Sequence, residues 1–276
     1  MNQIVACAQM RTTPDVTANL EAVTRLTARA AARGAGTVLF PEAFAFLGPD
    51  VEKQKILEDL PAIGASTPAG PILAHCQAAA RAHGVHMVLG GFHERSPTPQ
   101  KAYNTCVHLA PDGRVLARYR KIHMFDVALA DGTRLEESAR TLRGDEAVVT
   151  DAPFGRLGLT VCYDLRFPRL YERLVDAGAI ALTVPSAFTL STGKEHWHVL
   201  LRARAIECQS YVLAPAQYGA HHGARVSYGH ALVVDPWGCV IAECGDGEGL
   251  AIAEIDTARV EQVRRELPSL QHRVSF

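Results

Sequence analysis

Short apolar runs recur along this chain, each stopped by a turn residue or a charge, and the longer stretches between some of them carry apolar residues at helical spacing. That alternation limits the available folds more than any single motif does. Residues 4–9 and 37–40 read as buried strands, and 17–33 places Leu20, Val23, Leu26 and Ala30 on one helical face before Gly34 stops it. Further strands are expected at 86–90, 104–109, 115–119, 156–161, 180–184, 211–215, 229–234, 239–243 and 250–254, and helices at 71–83, 168–177, 194–209 and 256–266. This α/β pattern suits two sheets with helices outside, or one doubly wound sheet, and periodicity does not choose between them. With 276 residues, 48% hydrophobic content and no visible linker, a single domain over 1–276 is expected.

Three strand ends carry reactive groups. In the run Gly-Leu-Thr-Val-Cys-Tyr-Asp-Leu-Arg-Phe-Pro (158–168) an apolar stretch stops at Cys162 and turns polar before a proline that can open a helix. Backbone N–H groups and a helix dipole there would favour a thiolate, so the thiol should be presented to solvent. A lone cysteine is more often a small buried hydrophobe. Glu42 ends the strand Thr37-Val38-Leu39-Phe40-Pro41 and could act as a base; Lys121 follows the turn Pro111-Asp112-Gly113 and the strand 114–119 and could act as an electrophile. Each alone reads as a surface charge at a strand end, but the three together form a Glu, Lys, Cys set.

The segments Phe40-Pro41-Glu42, Tyr119-Arg120-Lys121-Ile122-His123 and Val161-Cys162-Tyr163-Asp164-Leu165-Arg166-Phe167-Pro168 resemble, in order and spacing, the catalytic motifs of the nitrilase (carbon–nitrogen hydrolase) superfamily. Pro185-Ser186-Ala187-Phe188, His196-Trp197, the run 201–207, Ser227-Tyr228-Gly229-His230 and Asp235-Pro236-Trp237-Gly238 resemble its Nit branch, which includes deaminated glutathione amidases and omega-amidases. The run 219–237, with His221-His222 and Arg225, and the closing Leu267-Pro268 and Gln271-His272-Arg273 are most similar to the deaminated glutathione amidases.

The resemblance implies a four-layer αββα sandwich with two approximately symmetric halves, and a homodimer paired through the helix after Cys162. It implies amide hydrolysis through a thioester: Cys162 as nucleophile, Glu42 as base, and Lys121 with the Tyr163 N–H as donors to the oxyanion. An enclosed site would raise the pKa of Glu42. A second glutamate that orients the lysine is implied in 134–138. Glu137 fits best by its following serine, while the adjacent Glu136 could be the inward one. Arg166, with a planar fork suited to carboxylates, is assigned to the substrate's keto-acid carboxylate, and Phe188 and Thr192 to the pocket wall.

The implied substrate is deaminated glutathione, cleaved to 2-oxoglutarate and cysteinylglycine. An omega-amidase acting on 2-oxoglutaramate, or an N-carbamoyl hydrolase, would use the same mechanism. A non-catalytic dimeric scaffold or a thiol redox sensor is the reading of another class, although a scaffold has no need of all three residues. Tyr163-Asp164 after the nucleophile differs from the Trp-Glu usual in true nitrilases. A net charge of −1 gives no footprint for nucleic acid or an anionic membrane. No apolar run approaches a membrane span, and no leader is evident at Met1, so a cytoplasmic protein is expected. Seven scattered cysteines point to a reducing compartment. His196-Trp197-His198 and His221-His222 lack a neighbouring carboxylate or cysteine at liganding spacing, so neither metal nor cofactor is expected.

Overall fold

In the computed structural model, which describes residues 3–128 and 134–274, the first apolar run forms β1 (Gln3–Met10) within a mixed sheet. β2 (Thr37–Phe40) and β3 (His86–Arg95) lie parallel beside it, and β4 (Ala102–Leu109) and β5 (Val115–Arg120) extend the sheet by antiparallel pairing. Along its other edge β1 pairs antiparallel with Gly249–Ile255 and, at its C-terminal end, parallel with Ala216–Ala220. A second sheet runs in the order Val240–Glu243, Leu232–Val234, Tyr211–Ala214, Ala181–Thr183, Gly155–Leu159, Val148–Ala152.

Both faces of the first sheet are apolar because both are covered. Val5, Cys7, Leu39, Val88 and Cys106 join Leu157, Leu159 and Val212 in the core between the sheets. Their alternates Ala6, Ala8, Val38 and Phe40 meet Val23 and Leu26 of the helix Val16–Ala31 and Leu73 of the helix Pro71–His83. Tyr171 and Leu174 of Pro168–Asp176 and Trp197 and Leu201 of Leu190–Cys208 cover the second sheet. The order helix, sheet, sheet, helix is the four-layer αββα sandwich, with each buried large apolar side chain contributing about 1.5–3 kcal/mol.

Strands 37–40 and helix 71–83 form at the expected residues. The helix expected from 194 begins at Leu190, and Gly193 sits inside it because a Cβ there would lie 2.3 Å from Tyr228 Cβ. The strand expected at 229–234 is shortened to Leu232–Val234, since Gly229 and His230 take positive φ. Val148–Ala152, Ala216–Ala220 and Val226–Tyr228 form strands where none was expected; the last two make a hairpin on the edge of β1.

One irregularity bears on the site. The register of β3 against β4 shifts between Leu89 and Phe92, across Gly90 and Gly91. A Cβ on Gly90 would lie 2.1 Å from Pro185 Cβ, and one on Gly91, at φ +67, would lie 2.5 Å from Ala43 N. Their missing side chains let the segments after β2 and after Ala181–Thr183 close over the strand.

Candidate active site

The C-terminal ends of β2 and β5, and the segment following Gly155–Leu159, bring Glu42, Lys121 and Cys162 around one cavity. Lys121 Nζ donates to Glu42 Oε1 at 3.0 Å and to Glu137 Oε2 at 2.7 Å, with Glu137 Oε1 at 3.0 Å. Asn104 on β4 donates through Nδ2 to both carboxylates, at 2.9 Å to Glu42 and 3.2 Å to Glu137. The Ala187 N–H donates to Glu42 Oε2 at 3.1 Å, and the Phe125 N–H to Glu137 Oε2 at 2.8 Å. Between the adjacent glutamates, Glu137 points inward at the start of the short helix Glu137–Arg140, while Glu136 is exposed.

The thiol is buried rather than presented. Cys162 is 7% exposed and has φ 48, a left-handed conformation that a non-glycine residue adopts at a cost. Its N–H donates to Pro185 O at 3.0 Å. Asp164, fully buried two residues on, ties this turn to the lysine segment: it accepts from the Val161 N–H (2.9 Å), Tyr119 OH (2.7 Å), the His123 N–H (3.1 Å) and His123 Nδ1 (2.7 Å). The His123 ring stacks on Phe167. The clamp fixes the Cys162 thiol and the Lys121 ammonium relative to each other.

Electrostatics correct a second expectation. Burial works to raise the pKa of Glu42, but the Lys121 ammonium and hydrogen bonds from Cys162 and Lys121 outweigh it and hold the carboxyl at about 2. Burial first, and then the adjacent Glu42 charge, push the Cys162 thiol well above its ordinary value, although Lys121 pulls the other way. Burial opposes the charge on Lys121, yet Glu137 and Glu42 keep it above the ordinary lysine value. The resting site therefore holds a carboxylate, an ammonium and a neutral thiol.

Cys162 stands where two cavities meet. The larger, ≈ 880 Å³ including its open mouth, contains Glu42, Lys121 and Glu137. The smaller is walled by Tyr163, Arg166, Phe188 and Thr192, so the four residues expected to bind substrate do share one recess. The Arg166 guanidinium carbon lies 5.3 Å from the Phe188 ring centroid and 5.9 Å from that of Tyr163. The sequence reading missed Asn104, a polar residue in a strand, and Asp164, part of a quoted motif but given no role. Away from these cavities, His198 Nε2 and His230 Nδ1 both hydrogen-bond Glu243 Oε1, at 2.8 and 2.7 Å. The ligand atoms of the three lie within 4.8 Å of one another, a grouping invisible in the linear spacing.

A four-layer sandwich that gathers a thiol, a carboxylate and a buried lysine at its strand ends has the groups that amide hydrolysis through a thiol requires. The carbon–nitrogen hydrolase family profile matches residues 4–265, and the chain belongs to that family. It is 46% identical to a deaminated glutathione amidase from Synechocystis sp. over 98% of both chains. Among solved structures it is similar to Saccharomyces cerevisiae Nit3, of branch 10 of the nitrilase superfamily, at TM-score 0.84 and 31% identity over 97% of this chain and 94% of that one. It also matches the Caenorhabditis elegans NitFhit protein, at TM-score 0.89 and 37% identity over 99% of this chain, and spans 65% of that longer chain.

Proposed function

We propose that this carbon–nitrogen hydrolase cleaves the amide of deaminated glutathione, giving 2-oxoglutarate and cysteinylglycine. Cys162 Sγ attacks the amide carbon as Glu42 takes the thiol proton. The oxyanion forms against Lys121 Nζ and the Tyr163 N–H. Because Lys121 is what holds the Glu42 pKa down, its engagement with the oxyanion weakens that hold and raises the proton affinity of Glu42 as the sulfur attacks. No free thiolate need accumulate. The C–N bond then breaks, Glu42 delivers its proton to the leaving nitrogen, and a thioester remains. Glu42 next takes a proton from water, the hydroxide adds to the thioester carbon, and the C–S bond breaks. The thiolate recovers the proton, leaving the enzyme as it began. Glu137 and Asn104 hold Lys121 and Glu42 in place throughout.

The observation that carries this reading is the small recess beside Cys162, where the Arg166 fork lies against Phe188 and Tyr163 and can take the keto-acid carboxylate. The name of the Synechocystis relative supports the same substrate. We further propose a homodimer. It is supported by exposed Val199 and Ile206 on the helix Leu190–Cys208 and by Trp237, 49% exposed, in contrast to the charged outer face of Pro168–Asp176. The seven free thiols support a reducing, cytoplasmic setting.

The test is mass spectrometry of wild type and Cys162→Ala incubated with deaminated glutathione, 2-oxoglutaramate and a simple nitrile. Turnover of the first, lost in the variant, is expected. Turnover of 2-oxoglutaramate alone would move the function to omega-amidase, and no turnover of any would favour a scaffold or sensor.

A further inference from the structure

The two cavities that meet at Cys162 receive opposite halves of the amide. The acid that protonates the leaving nitrogen is Glu42, and Glu42 lines the larger cavity but not the smaller. The departing amine must therefore lie in the larger cavity while the acyl chain enters the smaller one, toward Arg166. The larger cavity also carries Lys53, Arg140 and Arg225 beyond Glu42.

These cations differ in what already satisfies them. Lys53 Nζ is 2.9 Å from Asp50 Oδ1, and Lys121 is taken by Glu42 and Glu137. Arg140 and Arg225 make no ion pair among the described residues, and the other carboxylate on the wall is the exposed Glu136. Both arginines act on Asp50, and Arg225 also acts on Glu42, so their charges bear on the space between the reacting carboxylate and the mouth.

We infer that Arg225 and Arg140 form a carboxylate subsite for the leaving group, taking the C-terminal carboxylate of the departing dipeptide. The inference rests on the proposed deaminated glutathione reading and deepens it. An amide that releases only ammonia has nothing to place there. The subsite would thus set the preference for a peptidyl amine over a primary amide, while Arg166 sets the preference for the acyl half. Arginine's planar fork suits this task, and its charge survives at every working pH.

The test removes each partner of the contact in turn. Wild type, Arg225→Gln and Arg140→Gln are assayed on deaminated glutathione, on its C-terminal carboxamide and on 2-oxoglutaramate. For wild type, replacing the carboxylate by the carboxamide should lower kcat/KM about 10- to 100-fold. In Arg225→Gln that penalty should shrink to a few-fold, and the ratio of kcat/KM for deaminated glutathione to that for 2-oxoglutaramate should fall by a similar factor. Arg140→Gln should do the same to a smaller extent, since Arg140 is the more exposed. A wild type that cleaves acid and carboxamide equally well would overturn the subsite and leave the substrate reading standing. An unchanged penalty in both variants would overturn it too. A wild type inactive on deaminated glutathione but active on 2-oxoglutaramate would remove the substrate reading and this subsite together.

Discussion

Lys121 and Arg166 are both cations on cavities that include Cys162, and they are held in opposite ways. Lys121 is 2% exposed and saturated by two carboxylates, which Asn104 bridges in turn. Arg166 is half-buried, lies against two aromatic rings, and has His196 Nδ1 at 3.3 Å as its polar neighbour. The floor of the site is a closed ionic network whose members cannot move singly, whereas the wall keeps its charge available. Chemistry needs the first arrangement, because a misplaced base or cation loses rate steeply. Recognition needs the second, because a guanidinium already paired would have nothing to offer a substrate.

Substitutions should separate floor from wall. Cys162→Ala should abolish turnover in a single-turnover assay while leaving urea stability within about 1 kcal/mol, as the thiol contributes little packing beyond its β-carbon. Lys121→Ala should also abolish turnover, but it leaves the buried Glu42 and the half-buried Glu137 without their cation and should cost about 3–5 kcal/mol in the same urea titration. Full stability in that variant would break the distinction. Asp164→Asn keeps the shape but removes the charge that four donors share; a loss of about 2–3 kcal/mol is expected, with a lower kcat and a largely preserved KM.

Acid should loosen the protein before it titrates Glu42 in the folded state. Burial depresses His93 and His221 to about 4 and His108 to about 3, so the unfolded chain takes up protons below pH 6.5 that the folded chain refuses. Stability is fullest above that pH and falls as pH drops from 6.5 toward 4 and 3. Glu42, held at about 2, contributes stability above the ordinary carboxylate pKa and loses it progressively as pH falls from there to about 2. Thermal midpoints measured from pH 7 to 4 should decline, and His93→Gln should flatten part of that decline. The smallest stability effect belongs to the wall: Arg166→Ala should change unfolding by less than about 0.5 kcal/mol yet lower kcat/KM on keto-acid amides about 10- to 100-fold.

How far the sequence spoke follows the same division. The elements that carry the site could be read because they are short apolar runs ending at a charge, as at Thr37–Phe40 before Glu42. The hairpin of Ala216–Ala220 and Val226–Tyr228 could not, because its pairing with β1 is long-range and its residues are mixed in character. Glu42, Lys121 and Cys162 came from motif order. Asn104 and Asp164 gain their importance only from what folds against them, and no local spacing reveals four donors arriving from separate segments. The expected rise in the Glu42 pKa failed for a related reason. An apolar neighbourhood is visible in sequence, but a lysine ammonium 3.0 Å away is not.

Gly90 and Gly91 extend the candidate site to atoms the protein lacks. Pro185 and the backbone around Glu42 occupy the volume that two methyl groups would claim. An alanine at either position would be a mild change by composition, leaving every reactive residue present. It would nevertheless push Glu42 or the Pro185 turn that anchors Cys162 out of register. Inactivating variants of this enzyme should therefore include folded proteins that keep Glu42, Lys121 and Cys162, whose defect is one carbon too many on the strand beneath them.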